Sequence, residues 1–179
     1  HAGFLGFGEL LDEMVARTRN YFDLVLIHGD PDFIAFDETF SRMSEIADLS
    51  RYTGYVVDPA PARDEAGPGA GEVIISTGGG AVSDDMLEAA IGARALASLA
   101  NASWRVLIGH NLPEADFTAY RDNAPDGITV ERSRPDFPQL LANCRLSISQ
   151  GGYNTVMEVL AARTPAVCIP YAGGLESEQ

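Results

Sequence analysis

Lysine is absent from this chain: all twelve basic residues are arginine. That absence removes whole classes of chemistry, among them a Walker A loop, a Schiff-base lysine and the lysine of a protein kinase. Positive charge is also short overall. Twelve arginines face 26 acidic residues, a formal net charge of −14. Such a chain is not expected to take a nucleic-acid backbone as its partner, because counterion release needs clustered cations. A small anion is not excluded, since backbone N–H groups at a helix N-terminus can hold one. The arginine-only, alanine- and glycine-rich usage is ascribed to genomic base composition. Cysteine is scarce. Cys144 and Cys168 make no disulfide framework, and both are expected as buried, inert thiols in a reducing, cytoplasmic setting. No apolar run reaches the ~18 residues of a membrane span. The first twenty residues, "HAGFLGFGELLDEMVARTRN", lack the basic region and long apolar core of a signal peptide. No His/Cys/Asp cluster has metal-ligand spacing, no G-x-S-x-G elbow occurs, and no cofactor is expected.

What is present is an alternation. In 8–19, "GELLDEMVARTR", Leu10, Leu11, Met14 and Val15 recur at helical spacing. "FDLVLIHG" (22–29) and "YTGYVVD" (52–58) read as buried strands, and "PAPARDEAGPGAG" (59–71) as a linker. Its "GPGAG" precedes a strand and so is not a dinucleotide fingerprint. Strands are then expected at 72–77, 104–110, 127–133, 145–150 and 165–171. Helices are expected at 86–100, 114–123, 136–144 and 154–163. This predicts an α/β fold with a parallel sheet. The expected organisation is 1–58 as the end of one domain, the 59–71 linker, and 72–179 as a second domain. In parallel sheets ligands bind beyond the C-terminal ends of the strands. The candidate site segments are therefore 77–83, 110–113, 131–135, 150–155 and 171–179.

Three glycines, Gly78, Gly79 and Gly80, follow Thr77 at the end of the first of these five strands. They allow a ligand to approach the backbone, and successive N–H groups can form an anion nest. Ser83 is a plausible N-cap for the helix that follows. The acid of a nicotinamide-dinucleotide site is missing from the end of the next strand, where His110 stands instead. A lone histidine there is either an exposed strand end or a contact to a base or sugar. The richest stretch is "SQGGYNTVMEVLAARTPAVCIPY" (149–171). Its turn, Gln150-Gly151-Gly152, leads into a helix starting near Asn154 or Thr155, whose N–H groups would suit a phosphate. Val156, Val159 and Leu160 are expected to face inward. Glu158 has two readings of equal weight by spacing alone. With Thr155 as N-cap, T-x-x-E is a capping box; otherwise the carboxylate is available to the hydroxyls of a ribose.

The order Gly152, Thr155, Glu158, Pro165, Pro170 and Gln179 resembles the nucleotide-sugar-binding half of GT-B glycosyltransferases. It is most similar to the group around the peptidoglycan N-acetylglucosaminyltransferase that makes lipid II, and to predicted bacterial glycosyltransferases related to it. The likeness covers 72–179 and is most specific over 145–179; 1–58 looks like the tail of the acceptor-side domain. The resemblance implies two Rossmann-like domains, with the chain a piece of a longer enzyme whose catalytic base lies in the missing N-terminal part. It implies a nucleoside diphosphate sugar, a UDP-sugar first, as donor, an unknown acceptor, and metal-independent transfer. Glu158 would hold the ribose. Thr155 with Gly151 and Gly152, and from the opposite side "STGGGA" (76–81), would face the diphosphate. Glu178 and Gln179 would lie near the donor sugar, and Glu131 and Arg132 near the base. Peripheral membrane contact through the missing domain stays open. So do two rival readings, a nucleotide-sugar epimerase or hydrolase of the same fold and a non-catalytic nucleotide-sugar-binding module.

Overall fold

The computed structural model describes residues 7–77 and 84–170. The chain forms two compact units, 1–56 and 57–179. In the first, helix α1 (Phe7–Tyr21) is followed by strand β1 (Val25–Ile27), two short 3-10 turns and strand β2 (Ser50–Tyr52). The two strands pair in parallel. Val15, Phe40 and Ile46 form a small core, joined by Leu11, Phe36 and Met43. Strand β1 is shorter than the expected 22–29, and β2 lies earlier than the expected 52–58, sharing only Tyr52 with it. Leu24 and Leu26 are half exposed, and only Ile27 of β1 is buried. Beyond β2, Gly54 takes a left-handed φ of 72°, which ends the extended run before residue 58.

The second unit is a five-stranded parallel sheet of β3 (Val73–Ser76), β4 (Trp104–Ile108), β5 (Ile128–Arg132), β6 (Leu146–Ser149) and β7 (Ala166–Cys168), in the order β5-β4-β3-β6-β7. Four helices alternate with them: α2 (Asp84–Ala93), α3 (Glu114–Asp122), α4 (Phe137–Asn143) and α5 (Tyr153–Ala162). The α/β class expected from the alternation is the fold observed. Valine and isoleucine dominate β3, and their branched side chains fit a pleated, doubly covered strand. Val73 and Ile75 point to one face, where Met86, Leu87 and Ala90 of α2 and Phe117 of α3 complete the larger core. Ile74 points to the other, against Leu107, Leu140 and Cys144. The chain moves from β3 outward to β4 and β5, then returns to β6 on the opposite side of β3. Strand order therefore reverses at β3, and a ligand crevice is expected at the C-terminal edge of the sheet there.

Several elements differ from their expected form. The helix expected over 86–100 ends at Ala93; a 3-10 turn (Arg94–Leu96) follows, and Ala97 is extended. The indole N–H of Trp104 then donates to the Leu99 carbonyl at 3.0 Å, closing the loop into β4. Strand β7 covers only three residues, all exposed. It has β6 on one side alone among the described residues, so Cys168 is exposed and only Cys144 is buried. Burial pushes the Cys144 thiol up to about 11, consistent with an inert core thiol. Leu160 is also exposed, leaving Val159 as the buried anchor of α5.

The Pro- and Gly-rich segment read as a linker is fastened to α4 along its second half. Asn143, 1% exposed, accepts the Asp64 N–H at 2.8 Å and donates to the Pro68 carbonyl at 2.8 Å. Gly69 has a φ of 83°, and a Cβ there would lie 2.9 Å from the Leu140 backbone, so only glycine allows this approach. Replacing Asn143 by alanine leaves both backbone groups without their partner. It is expected to cost about 1–3 kcal/mol, read by denaturant unfolding, and to speed proteolysis within 62–71. An unchanged unfolding midpoint would show that the segment is not held by this side chain.

Candidate functional site

A cleft of about 320 Å³ opens at the C-terminal edge of the sheet, lined by the ends of β3 and β4, the segments after β4 and β5, and α5. Its polar lining comprises Ser76, His110, Asn111, Ser133, Arg134, Thr155 and Glu158, with Leu107 and Phe137 as the apolar part. Of the expected site residues, His110 from the segment after β4 and Thr155 and Glu158 from α5 are thus brought together.

Helix α5 excludes one of the two readings of Glu158, the capping box. The helix begins at Tyr153 with Gly152 as N-cap, no side chain caps it, and its first turn contains no acid. Thr155 sits inside the first turn and Glu158 in the second, so the capping-box geometry is not formed. The Glu158 carboxyl lies in the cleft, and burial first, then the nearby charge of Asp58, raises it above the ordinary carboxylate range. In the preceding turn Gly151 has a φ of 76°, whereas at Gly152 a Cβ would meet nothing within 4 Å. The helix ends where Arg163 turns left-handed at φ 54°, and the N–H of Thr164 closes on the Val159 carbonyl at 3.1 Å.

The other expected residues lie around the cleft without lining it. Thr77 is buried at the end of β3, and its hydroxyl accepts the Gly109 N–H at 3.3 Å, tying the ends of β3 and β4 together. Arg132 is held away from the cleft. It donates to the Gly109 carbonyl at 2.9 Å and to Glu114 at 2.7 Å, and lies 4.1 Å over the Phe117 ring. Gln150 and Gly151 are half buried in the turn, and Gly152 and Asn154 are exposed. Gly78, Gly79, Gly80, Ser83, Glu178 and Gln179 lie outside the described residues.

Sequence reasoning did not single out Asn111, Ser133, Arg134 or Phe137. The strand-end rule had marked 110–113 and 131–135, so Asn111, Ser133 and Arg134 were within reach of it; Ser76 opens the "STGGGA" segment that the resemblance turned toward the diphosphate, and Phe137 carried no local mark. Arg134 is the one arginine lining the cleft. Its guanidinium grips Asp136 through two bonds of 2.8 and 2.7 Å and reaches Glu131 at 3.2 Å. Glu131 in turn binds Arg105 at 2.6 Å, which is paired bidentately with Glu72 at 2.7 and 2.8 Å. These hydrogen bonds raise both arginines above their usual range and lower Asp136 below its own. Arg134 is therefore a committed wall of the cleft, and an anion here would be held chiefly by N–H groups and hydroxyls. Among the described residues no group of three His, Cys, Asp or Glu is placed to hold a metal ion.

The turn before α5 gives a direct test. Gly151→Ala should cost about 1–2 kcal/mol, the penalty of a left-handed Cβ, and lower the melting temperature. Gly152→Ala, with a φ of −59° and open space around it, should cost less.

Solved structures with the same architecture include Anabaena Alr3699/HepE in complex with UDP-glucose. It is 16% identical, at a TM-score of 0.61 over 88% of this chain and 48% of that one. The pneumococcal O-GlcNAc transferase GtfA in complex with UDP and GlcNAc is 13% identical, at a TM-score of 0.57 over 89% of this chain and 33% of that one. The chain spans less than half of either protein. At these identities the likeness is one of fold, the parallel α/β domain of GT-B glycosyltransferases. No curated protein matches the chain significantly. The family model described as glycosyltransferase family 28 C-terminal domain matches residues 73–179, more than half of the sequence. By that match and the fold that accompanies it, the chain belongs to the glycosyltransferase family 28 C-terminal domain family.

Proposed function

We propose that the second unit is the donor-binding half of a glycosyltransferase that moves a hexosyl or N-acetylhexosaminyl group from a UDP-sugar to an acceptor without a metal ion. Within the family, its kinship is proposed to lie with the group around the enzyme that makes lipid II. The observation that carries the reading is Glu158. It is released from helix capping, lies in the cleft at the strand ends with Thr155 and His110, and so presents a carboxylate to the vicinal hydroxyls of a ribose. The uncapped start of α5 directs its first-turn N–H groups toward the diphosphate, stabilising the charge that develops as the sugar departs. Arg134 and Phe137 wall the base end of the cleft. UDP is proposed first among nucleotides because the Anabaena protein of this fold holds UDP-glucose. The base that deprotonates the acceptor hydroxyl is assigned to the acceptor-side domain. On this reading the chain binds donor and does not by itself transfer.

Calorimetric titration of the chain with UDP, GDP, dTDP and UDP-GlcNAc tests this. One saturable nucleotide is expected, UDP, with Glu158→Ala weakening it about tenfold or more. Binding should persist in a chelator. No binding to a folded chain, or equal binding by Glu158→Ala, would overturn the assignment. The pH dependence has a defined sign. The ionised carboxylate accepts the ribose hydroxyls, and the Glu158 carboxyl is raised by burial. Affinity should therefore fall as pH is lowered through that raised value, and Glu158→Gln should bind weakly with little dependence on pH across the same range.

A further inference from the structure

A second cavity, of about 440 Å³, shares no residue with the cleft at the strand ends. It is a groove between α2 and α3, which cover the same face of the sheet. Its floor is Ile91, Tyr120 and Ala124, partly buried against the larger core, and Pro125 extends it. Both helices return between consecutive parallel strands and so run in the same direction. Glu88 stands one turn before Gly92 on α2, and Asp116 one turn before Tyr120 on α3. The two carboxylates therefore flank the same end of the groove, one on each helix.

Two observations make this more than a gap between helices. The first is Gly92. A helical glycine is destabilising relative to alanine, and a Cβ here would meet nothing within 4 Å, so packing within the fold does not call for glycine. What it supplies, together with Ala119, is open space along the groove wall. The second is charge. Among the described residues Glu72, Glu114, Glu131 and Asp136 are each paired with arginine, whereas Glu88 and Asp116 are not. The arginines nearest to them in sequence are engaged elsewhere, Arg94 on the Ala102 carbonyl at 3.3 Å and Arg121 on Asp122 at 3.0 Å. An occupant has to match an apolar floor and bring positive charge to one end. Helices of ten and nine residues span only about 15 Å, and the volume falls in the range of small-molecule sites. We infer that the groove binds a small organic cation with an apolar body, an alkyl- or arylalkylammonium, its ammonium between Glu88 and Asp116 and its hydrocarbon part over Ile91, Tyr120 and Pro125. The inference is independent of the donor-site reading.

The test is a heteronuclear NMR titration of the full chain with three probes of one shape, phenethylammonium, 2-phenylethanol and 3-phenylpropionate. Saturable shifts confined to α2, α3 and 123–125 are expected, with the ammonium bound about threefold or more tightly than the alcohol and the carboxylate weakest. Glu88→Gln and Asp116→Asn should each weaken the ammonium roughly two- to fivefold and leave the alcohol unchanged, a split that altered packing would not produce. Gly92→Leu, which fills the groove from an open helical position, should abolish the shifts with no loss of melting temperature. Equal affinity for the three probes would overturn the inference. So would shifts spread over other elements, or wild-type binding of the ammonium when both acids are replaced. Should Gly92→Leu fail to fold, the two charge variants still decide.

Discussion

Strand β3 is the constraint on which the second unit is built. All four of its residues are buried, and it is paired on both edges, with β4 and with β6. A strand in that position has to be apolar on both faces, and each face has to be covered by helices. Ile74 and Ile75 point in opposite directions into the two cores, each removing from water the surface of a large side chain, worth about 1.5–3 kcal/mol. Because every strand runs parallel, their C-terminal ends share one edge. The order reverses at β3, and the cleft lies at that edge beside the end of β3. The site is thus a by-product of how the core is closed.

The charge arrangement around that crevice follows from the arginine-only composition. Arg105 and Arg134 are tied to Glu72, Glu131 and Asp136 in one continuous network, with Arg105 and Glu72 only 18% and 17% exposed. Such planar, bidentate pairs fix geometry more than they add stability. Here they fasten β3, β4, β5 and the segment leading into α4 to one another. The consequence for binding is that the one arginine of the cleft has already met its counter-charges. On the proposed reading, recognition there falls to hydroxyls, helix N–H groups and the Glu158 carboxylate, which suits a ligand presenting both donors and acceptors better than a bare polyanion.

The local alternation of the sequence made the element types of the second unit legible, because branched apolar runs and helical spacing each have one comfortable backbone. Ends were less legible. The helix expected to run to residue 100 ends at Ala93, and the chain continues through a 3-10 turn and an extended Ala97. Cys168 and Leu160 look like core residues in sequence but face outward. An apolar run records that a segment packs without recording which of its faces is covered. The 59–71 segment reads as a linker by composition, yet Asn143, more than seventy residues away, holds part of it in place.

The sequence by itself determined the parallel α/β class and the strand-end segments from which a site would be drawn, and it singled out Thr155 and Glu158 as a pair, because these depend on spacing along the chain. Only the tertiary structure decided where those residues stand and what surrounds them. It set the helix start at Tyr153, which takes Glu158 out of a capping role; it turned Arg132 away onto Phe117; and it brought Ser76, Ser133, Arg134 and Phe137 to the same cleft as Glu158. Those outcomes depend on the order of strands and the register between them, which are long-range pairings. No local window of residues encodes them.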